Sequence, residues 1–113
     1  MNEKLFDLTE KVALITGGDS GIGLGLAQGV VKHGADVCIW GINDEDSQMA
    51  ENHLKEWGTK VKAIHCDVTD ETAVEESFAE TLDYFGRVDS CFANAGVSGI
   101  GEFTDIQTEE WRR

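Results

Sequence analysis

Glycines are concentrated in one short stretch near the amino terminus, Thr16-Gly17-Gly18-Asp19-Ser20-Gly21-Ile22-Gly23. The apolar segment 12–15 precedes this stretch, and Ile22, Leu26 and Val30 recur at helical spacing after its first glycines. The glycines therefore lie at a turn from a buried strand into a helix, where unpaired N–H groups and the helix dipole attract an anion. We expect a phosphate group there, because glycine lets the backbone turn tightly and approach a ligand. A glycine-rich turn that binds no ligand is the alternative.

The spacing of these glycines distinguishes between kinds of phosphate-binding loop. No register of the sequence matches G-x-G-x-x-G, and the Gly-Lys-Ser/Thr of a Walker A loop is absent. The stretch reads T-G-x-x-x-G-x-G, which resembles the cofactor loop of the short-chain dehydrogenase/reductase family. This resemblance implies that Gly17, Ser20, Gly21 and Ile22 line the pyrophosphate and the nearby ribose of a nicotinamide dinucleotide.

Strand-like and helix-like segments alternate along the rest of the chain. The predicted strands are about 12–16, 37–40, 61–66 and 88–93, and the predicted helices are about 21–33, 44–57, Thr69 or Asp70 to 85, and a first turn at 108–110. Such alternation implies right-handed βαβ crossovers and a parallel sheet. We therefore predict one α/β domain over residues 1–113, with a doubly wound, Rossmann-like parallel sheet.

Apolar residues at helical spacing predict the inward faces of the helices. The expected inward residues are Met49, Ala50, Leu54 and Trp57 in the second helix and Val74, Phe78, Leu82 and Phe85 in the third. In the first helix, Gly21, Gly25 and Gly29 share one face, which indicates close packing against the sheet or a ligand. Simple tolerance of glycine is the alternative.

Glycine and polar residues also follow the end of each later strand. These are Gly41–Asn43, Asp67-Val68 and Asn94-Ala95-Gly96. In a doubly wound sheet these strand ends share one rim, where ligands bind. Asp67-Val68 and the N-A-G segment again resemble the short-chain family, so that the resemblance covers essentially the whole chain.

The resemblance implies a role for each of these strand ends. Asp67 would accept from the adenine amino group, Val68 would pack on the ring, and Asn94 would steady the central strands and border the cofactor. A turn-forming aspartate and an asparagine in a left-handed turn are the alternatives. The predicted cofactor-binding residues are Gly17, Asp19, Ser20, Gly21, Ile22, Gly23, Gly41, Ile42, Asn43, Asp67, Val68, Asn94, Ala95 and Gly96.

The choice between NAD and NADP depends on the end of the second strand. An acidic residue there binds the ribose 2′-hydroxyl of NAD, whereas a nearby arginine accommodates the 2′-phosphate of NADP. Gly41 stands at the acidic position of the family, and Ile42 stands where NADP-dependent members often carry arginine. Asp19 and residues 44–46 add negative charge without a cation, so a 2′-phosphate would meet like charge. We expect NAD(H), with NADP(H) as the alternative, and note that the usual acidic partner is absent as well.

The catalytic residues of the family are absent from the sequence. The family uses a tyrosine with a lysine four residues later, a serine, and an asparagine from the fourth helix. The only tyrosine, Tyr84, is followed four residues later by Val88, and Ser90 and Ser98 match no catalytic serine. We therefore expect the amino-terminal, cofactor-binding half of an oxidoreductase that interconverts an alcohol and a carbonyl by hydride transfer, with its catalytic residues beyond Arg113. The 113 residues alone are expected to be inactive, and marginally stable or aggregating because the fourth strand would lack a neighbour.

Composition narrows the possible partners and the cellular location. A net charge of −13, from 22 acidic and 9 basic residues, argues against nucleic acid and anionic membranes as partners. No apolar run is long enough to span a membrane, and the first residues do not begin a secretory signal, so we expect a cytoplasmic protein. The resemblance implies a small alcohol or carbonyl substrate and a homo-oligomer at full length. A non-catalytic nucleotide-binding module, and an interaction module that pairs through a bare sheet edge, are the alternatives.

The cysteines do not indicate a metal or redox site. Cys38, Cys66 and Cys91 fall in predicted strands, and no C-x-x-C motif or Cys/His cluster is present. We expect buried free thiols that pack as small apolar residues.

Overall fold

Parallel strands alternate with helices in the computed structural model, which describes residues 3–96 and 101–112. The strands are β1 (Val12–Thr16), β2 (Asp36–Gly41), β3 (Val61–His65) and β4 (Ser90–Phe92), and the helices are α1 (Gly21–Lys32), α2 (Asp44–Lys55), α3 (Glu71–Phe85) and α4 (Thr108–Trp111). Short 3-10 turns cover Glu3–Phe6 and Phe103–Asp105. The predicted parallel α/β architecture is confirmed.

The strand order places a reversal of direction next to β1. The order across the sheet is β3-β2-β1-β4, and every neighbouring pair is parallel. The chain moves outward from β1 to β3 and then crosses back, so that β4 lies on the other side of β1. The carboxyl ends of β1 and β4 therefore flank the point where strand order reverses, which is where doubly wound sheets bind ligands.

Buried side chains of the central strands alternate between the two faces of the sheet. Ala13 and Ile15 of β1 pack with Ala27 and Val31 of α1 on one face. Leu14 belongs to a second cluster on the α3 side, with Cys38, Trp40, Ile64 and Cys66. Every residue of β1 is buried, as expected of a parallel strand that helices cover on both faces.

The inward face of α3 differs from the predicted one. Ser77 and Thr81 are its buried residues, and Phe78 and Leu82 are each 40% exposed. The Thr81 hydroxyl donates to the Ser77 carbonyl at 2.7 Å and accepts from Trp40 Nε1 at 3.2 Å. Small side chains and this satisfied polar contact let α3 pack over Trp40, so the prediction for Phe78 and Leu82 is wrong. Val74 and Phe85 do pack against the core.

The inward face of α2 is also displaced from the predicted stripe. Ser47, Ala50 and Leu54 are its buried residues, and their spacing of three and four fits one helical face. Met49 is 65% exposed because it lies one position off that face, and Trp57 is 48% exposed because the helix ends before it.

The glycine face of α1 is exposed. A Cβ added to Gly21, Gly25 or Gly29 would meet nothing within 4 Å, so the prediction that this face packs against the sheet is wrong, whereas packing against a ligand stays a prediction. The packed face carries Gly23, Ala27 and Val31, again four apart.

The cysteines do not share one environment. Cys38 and Cys66 are buried free thiols as predicted, and burial raises the pKa of Cys38 to about 11. Cys91 is exposed, contrary to the prediction, and it lies in β4, an edge strand of the described sheet whose three residues are all exposed or half-buried. Within the same ranges, no helix combines the length and apolarity needed to cross a membrane.

Candidate functional site

A cavity of about 660 Å³ lies at the carboxyl ends of the strands. Its lining residues are Gly17, Asp19, Ser20, Trp40, Gly41, Ile42, Cys66, Asp67, Val68, Thr69, Asn94, Ala95 and Gly96. The four strand-end segments that the sequence singles out thus meet at one rim.

The glycine-rich turn packs so tightly that a side chain at Gly18 or Gly23 would collide with neighbouring atoms. Gly17 has a φ of +67°, and its amide donates to the Trp40 carbonyl at 2.7 Å. A Cβ on Gly23 would run into the Gly17 carbonyl and would lie 2.6 Å from Asn94 Nδ2. The first turn of α1 is therefore held directly against the end of β1.

The amino terminus of α1 keeps its main-chain donors free. Ser20 is the N-cap residue in an extended conformation, but its side chain caps no amide. The amides of residues 21–23 donate to no acceptor in the ranges that the structure describes. By contrast, Asn43 accepts from Asp46 N at 3.0 Å to cap α2, and Asp70 accepts from Ala73 N at 3.3 Å to cap α3. The first turn of α1 also lacks acidic residues, so its free amides and dipole suit an anion.

Asn94 joins the ends of β1 and β4. Its Nδ2 donates to the carbonyls of Thr16 at 3.1 Å and Gly17 at 3.3 Å. The Thr16 hydroxyl in turn accepts from the amides of Asn94 at 3.1 Å and Ala95 at 3.0 Å. Among the described non-glycine residues only Glu10 has a positive φ, so the alternative of a left-handed turn at Asn94 is wrong.

Asp67 forms a turn and also lines the cavity. Its Oδ1 accepts from the Thr69 hydroxyl at 2.7 Å and from the Thr69 amide at 2.9 Å. These bonds hold the pKa of the Asp67 carboxyl below its ordinary value. Oδ2 accepts no hydrogen bond from the described residues, so the turn-forming alternative accounts for only one of the two oxygens. Val68 and Ile42 add exposed apolar side chains, 41% and 68%, to the same rim.

The carboxylate of Asp19 lies over Gly41 at the end of β2. A Cβ on Gly41 would run into Asp19 Oδ2 and would lie 2.7 Å from both Asp19 Cγ and Ser47 Oγ. The buried Ser47 hydroxyl donates to Asp19 Oδ2 at 3.4 Å. The described residues that line the cavity include no lysine, arginine or histidine.

Some of the predicted cofactor-binding residues do not line the cavity. Gly21, Ile22 and Gly23 continue from Ser20 into α1 and are not among the lining residues, and the Asn43 side chain serves as the N-cap of α2. Sequence reasoning missed three lining residues, which are Trp40, Cys66 and Thr69. Trp40 and Cys66 directly precede the marked strand-end segments, and the Asp-x-Thr spacing of 67–69 is typical of an Asx turn. Both signals were present in the sequence.

A parallel doubly wound sheet, with a glycine-rich turn after its first strand and a cavity at its switch point, defines a nucleotide-binding domain of the Rossmann type. The family model described as short chain dehydrogenase matches residues 11–113. The chain belongs to this family.

Related proteins support the same assignment. A probable NADP-dependent mannitol dehydrogenase from Yarrowia lipolytica is 39% identical over 108 residues, covering 94% of this chain and 39% of the relative. A sorbose reductase from Candida albicans is 38% identical over 111 residues, covering 96% of this chain and 40% of the relative. The chain thus spans about two fifths of the length of these relatives.

Solved structures show the same fold. An NAD⁺-bound xylitol dehydrogenase superposes with a TM-score of 0.87 at 30% identity, covering 93% of this chain and 41% of the other. An L-sorbose reductase from Gluconobacter frateurii, complexed with NADPH and L-sorbose, gives a TM-score of 0.85 at 30% identity, covering 95% of this chain and 41% of the other.

Proposed function

We propose that this chain is the NAD(H)-binding part of an oxidoreductase that interconverts an alcohol and a carbonyl by hydride transfer. The observation that carries the proposal is the uncapped amino terminus of α1, whose free amides follow directly from Ser20 on the cavity rim. The names of the relatives, a mannitol dehydrogenase and a sorbose reductase among them, support the reaction class.

The residues present fit a dinucleotide. The amides of residues 21–23 would hold the diphosphate, because they are unpaired within the described ranges and lie at the positive end of the α1 dipole. Asp67 Oδ2 is available to accept from the adenine amino group, and Ile42 and Val68 offer apolar surface to the ring. When bound, the cofactor supplies or accepts the hydride.

Within the proposal, this chain contributes cofactor binding and not proton transfer. Tyr84 has no lysine four residues later, and it packs edge-on against Phe85 with Lys60 Nζ over its ring. A polypeptide of these 113 residues is therefore expected to bind the dinucleotide without reducing a ketone.

The preference for NAD(H) rests on the residues of this chain. The compared proteins include both an NAD⁺-bound and an NADPH-bound enzyme, so the family does not decide the matter. The described cavity lining contains Asp19 and Asp67 and no cation, and a 2′-phosphate placed there would have no partner of opposite charge.

A proline substitution tests the α1 amides directly. Ile22→Pro removes one free N–H in the first helical turn, where proline is tolerated, and Ile22→Ala is the matched control that keeps the amide. We expect Ile22→Pro to weaken NADH binding roughly tenfold or more, the loss of a hydrogen bond to a charged group, and Ile22→Ala to change it little. The measurement is energy transfer from tryptophan to NADH during titration. Failure of the unmodified protein to bind NADH or NADPH would overturn the proposal.

A further inference from the structure

We propose that Asp19 supplies the carboxylate that binds the 2′-hydroxyl of the adenosine ribose, in place of the acidic side chain that position 41 lacks. This inference rests on the proposed function and adds the residue that selects NAD over NADP. It also accounts for the acid that sequence reasoning finds missing at the end of β2.

The geometry at Gly41 carries the inference. An acidic side chain at the end of β2 would begin with a Cβ on residue 41, and the structure fills that position with the carboxylate of Asp19. Asp19 belongs to the glycine-rich turn after β1, the strand that pairs with β2 and places Thr16 opposite Trp40. A side chain from the neighbouring strand end thus occupies the space that a side chain of β2 would otherwise take.

Ser47 holds this carboxylate in place. Its hydroxyl is buried in the first turns of α2 and donates to Asp19 Oδ2 at 3.4 Å. Asp19 itself is half-buried and lines the cavity. Its Oδ1 accepts no hydrogen bond from the described residues, so it remains available to a ribose hydroxyl.

The same carboxylate opposes a 2′-phosphate. A phosphate at this position would lie beside a negative group, with no lysine, arginine or histidine among the described lining residues. One residue therefore both favours the hydroxyl and disfavours the phosphate.

The test combines a change in the protein with a change in the ligand. The purified protein, at the length its gene encodes, is titrated by calorimetry with NAD⁺, 2′-deoxy-NAD⁺ and NADP⁺. Asp19→Asn keeps the size of the side chain and removes its charge. Asp46→Asn removes the same charge from an exposed residue in the first turn of α2 that does not line the cavity, and it is the matched control.

We expect the unmodified protein to lose roughly tenfold to a hundredfold in affinity when the 2′-hydroxyl is removed, the range for a hydrogen bond to a charged group. Asp19→Asn should reduce that loss to a few-fold and should lower the ratio of NAD⁺ to NADP⁺ affinity about tenfold or more. Asp46→Asn should leave both quantities nearly unchanged. An equal loss on 2′-deoxy-NAD⁺ in the unmodified protein and in Asp19→Asn would overturn the inference while leaving the proposed function intact.

A double variant keeps the test decisive if Asp19→Asn fails to fold. Asp19→Gly with Gly41→Asp moves the acid to β2 and frees the space above residue 41, and it should restore discrimination against 2′-deoxy-NAD⁺. Equal affinity of this double variant for NAD⁺ and 2′-deoxy-NAD⁺ would contradict the inference. Absence of binding of NAD⁺ and NADP⁺ to the unmodified protein would overturn the proposed function and this inference together.

Discussion

At the scale of single residues, Asn94 and Thr16 connect the fold to the site. The Asn94 side-chain amide donates hydrogen bonds to the carbonyls of Thr16 and Gly17. The Thr16 hydroxyl accepts hydrogen bonds from two backbone amides of the segment after β4. Each residue therefore joins the carboxyl ends of β1 and β4, where the strand order reverses. Loss of either side chain leaves partly buried polar groups without partners.

We expect Asn94→Ala to lower the free energy of unfolding by about 1–3 kcal/mol, because the Thr16 and Gly17 carbonyls lose their donor. Asn94→Asp should be worse, since a carboxylate would face two carbonyl oxygens. Asn52→Ala, on the exposed surface of α2, is the control and should stay within about 0.5 kcal/mol. Urea denaturation measures the free energy of unfolding of all three variants. An Asn94→Ala protein as stable as the unmodified one would contradict the proposed role of Asn94 in joining β1 and β4.

The ionised carboxylate of Asp89 makes the stability of the fold depend on pH. Arg87 donates to both of its carboxylate oxygens, and the Val12 amide donates to Oδ2 at 2.8 Å, which together hold the pKa of Asp89 below its ordinary value of 3.8. A lowered pKa in the folded state adds stability above the unfolded value, and that contribution is lost as pH falls through the folded value. Asp67 is lowered in the same direction.

Asp89→Asn should therefore melt at a lower temperature than the unmodified protein near neutral pH. The two melting temperatures should converge as pH falls below about 3.8, because protonation removes the same charge from Asp89. Thermal melts followed by circular dichroism at a series of pH values measure this. A gap that stays constant with pH would show that the Asp89 charge contributes nothing.

At the scale of elements, α1 has a packed face and an open face. Backbone contact leaves no space for a side chain at Gly23 in its first turn, whereas the outer face of the helix has space. Gly23 faces the Gly17 carbonyl and Asn94, whereas the space beside Gly25 is open. Two glycines on one helix thus form a matched pair for substitution.

Gly25→Ala should raise the free energy of unfolding by about 0.5–1 kcal/mol, because alanine is the better helix former and meets no obstacle. Gly23→Ala should lower it by about 1–3 kcal/mol through overpacking and should weaken dinucleotide binding as the turn moves. Denaturation and NADH titration of both variants check the pair. Equal behaviour of the two would contradict the packing described for Gly23.

The elements also show what sequence patterns can and cannot predict. Strands and helices followed from apolar runs and from glycines at helix ends, such as Gly86 with a φ of +81° after α3. The inward face of α3 could not be predicted from its own sequence, because Thr81 is buried in a hydrogen bond with Trp40, which lies 41 residues away. The contact of Asp19 with Gly41 was hidden for the same reason, since spacing along one segment cannot reveal which atoms of another segment fill its space.

At the scale of the whole molecule, the described sheet has two edge strands, β3 and β4, and β4 is the more exposed of the two. In the described part of the chain it pairs with β1 alone, and its Cys91 is exposed. An unpaired strand edge invites pairing with another chain.

A polypeptide of these 113 residues is therefore expected to self-associate with rising concentration, and Cys91→Lys should shift it toward monomer by placing a charge on the edge. Cys91→Ser, studied with reductant present, controls for the thiol, and Met49→Lys controls for added charge on the exposed face of α2. Sedimentation velocity at several concentrations measures the outcome. A monomeric unmodified polypeptide at all concentrations would contradict the expectation.

The hydrogen bond from Asn94 to the Gly17 carbonyl links the segment after β4 to the glycine-rich turn, so each can affect the other. We expect a ligand that orders the glycine-rich turn to strengthen the attachment of β4 through this bond. A partner that binds β4 would then strengthen ligand binding at the turn by the same free energy. We therefore expect β4 and the glycine-rich turn to become more ordered or less ordered together.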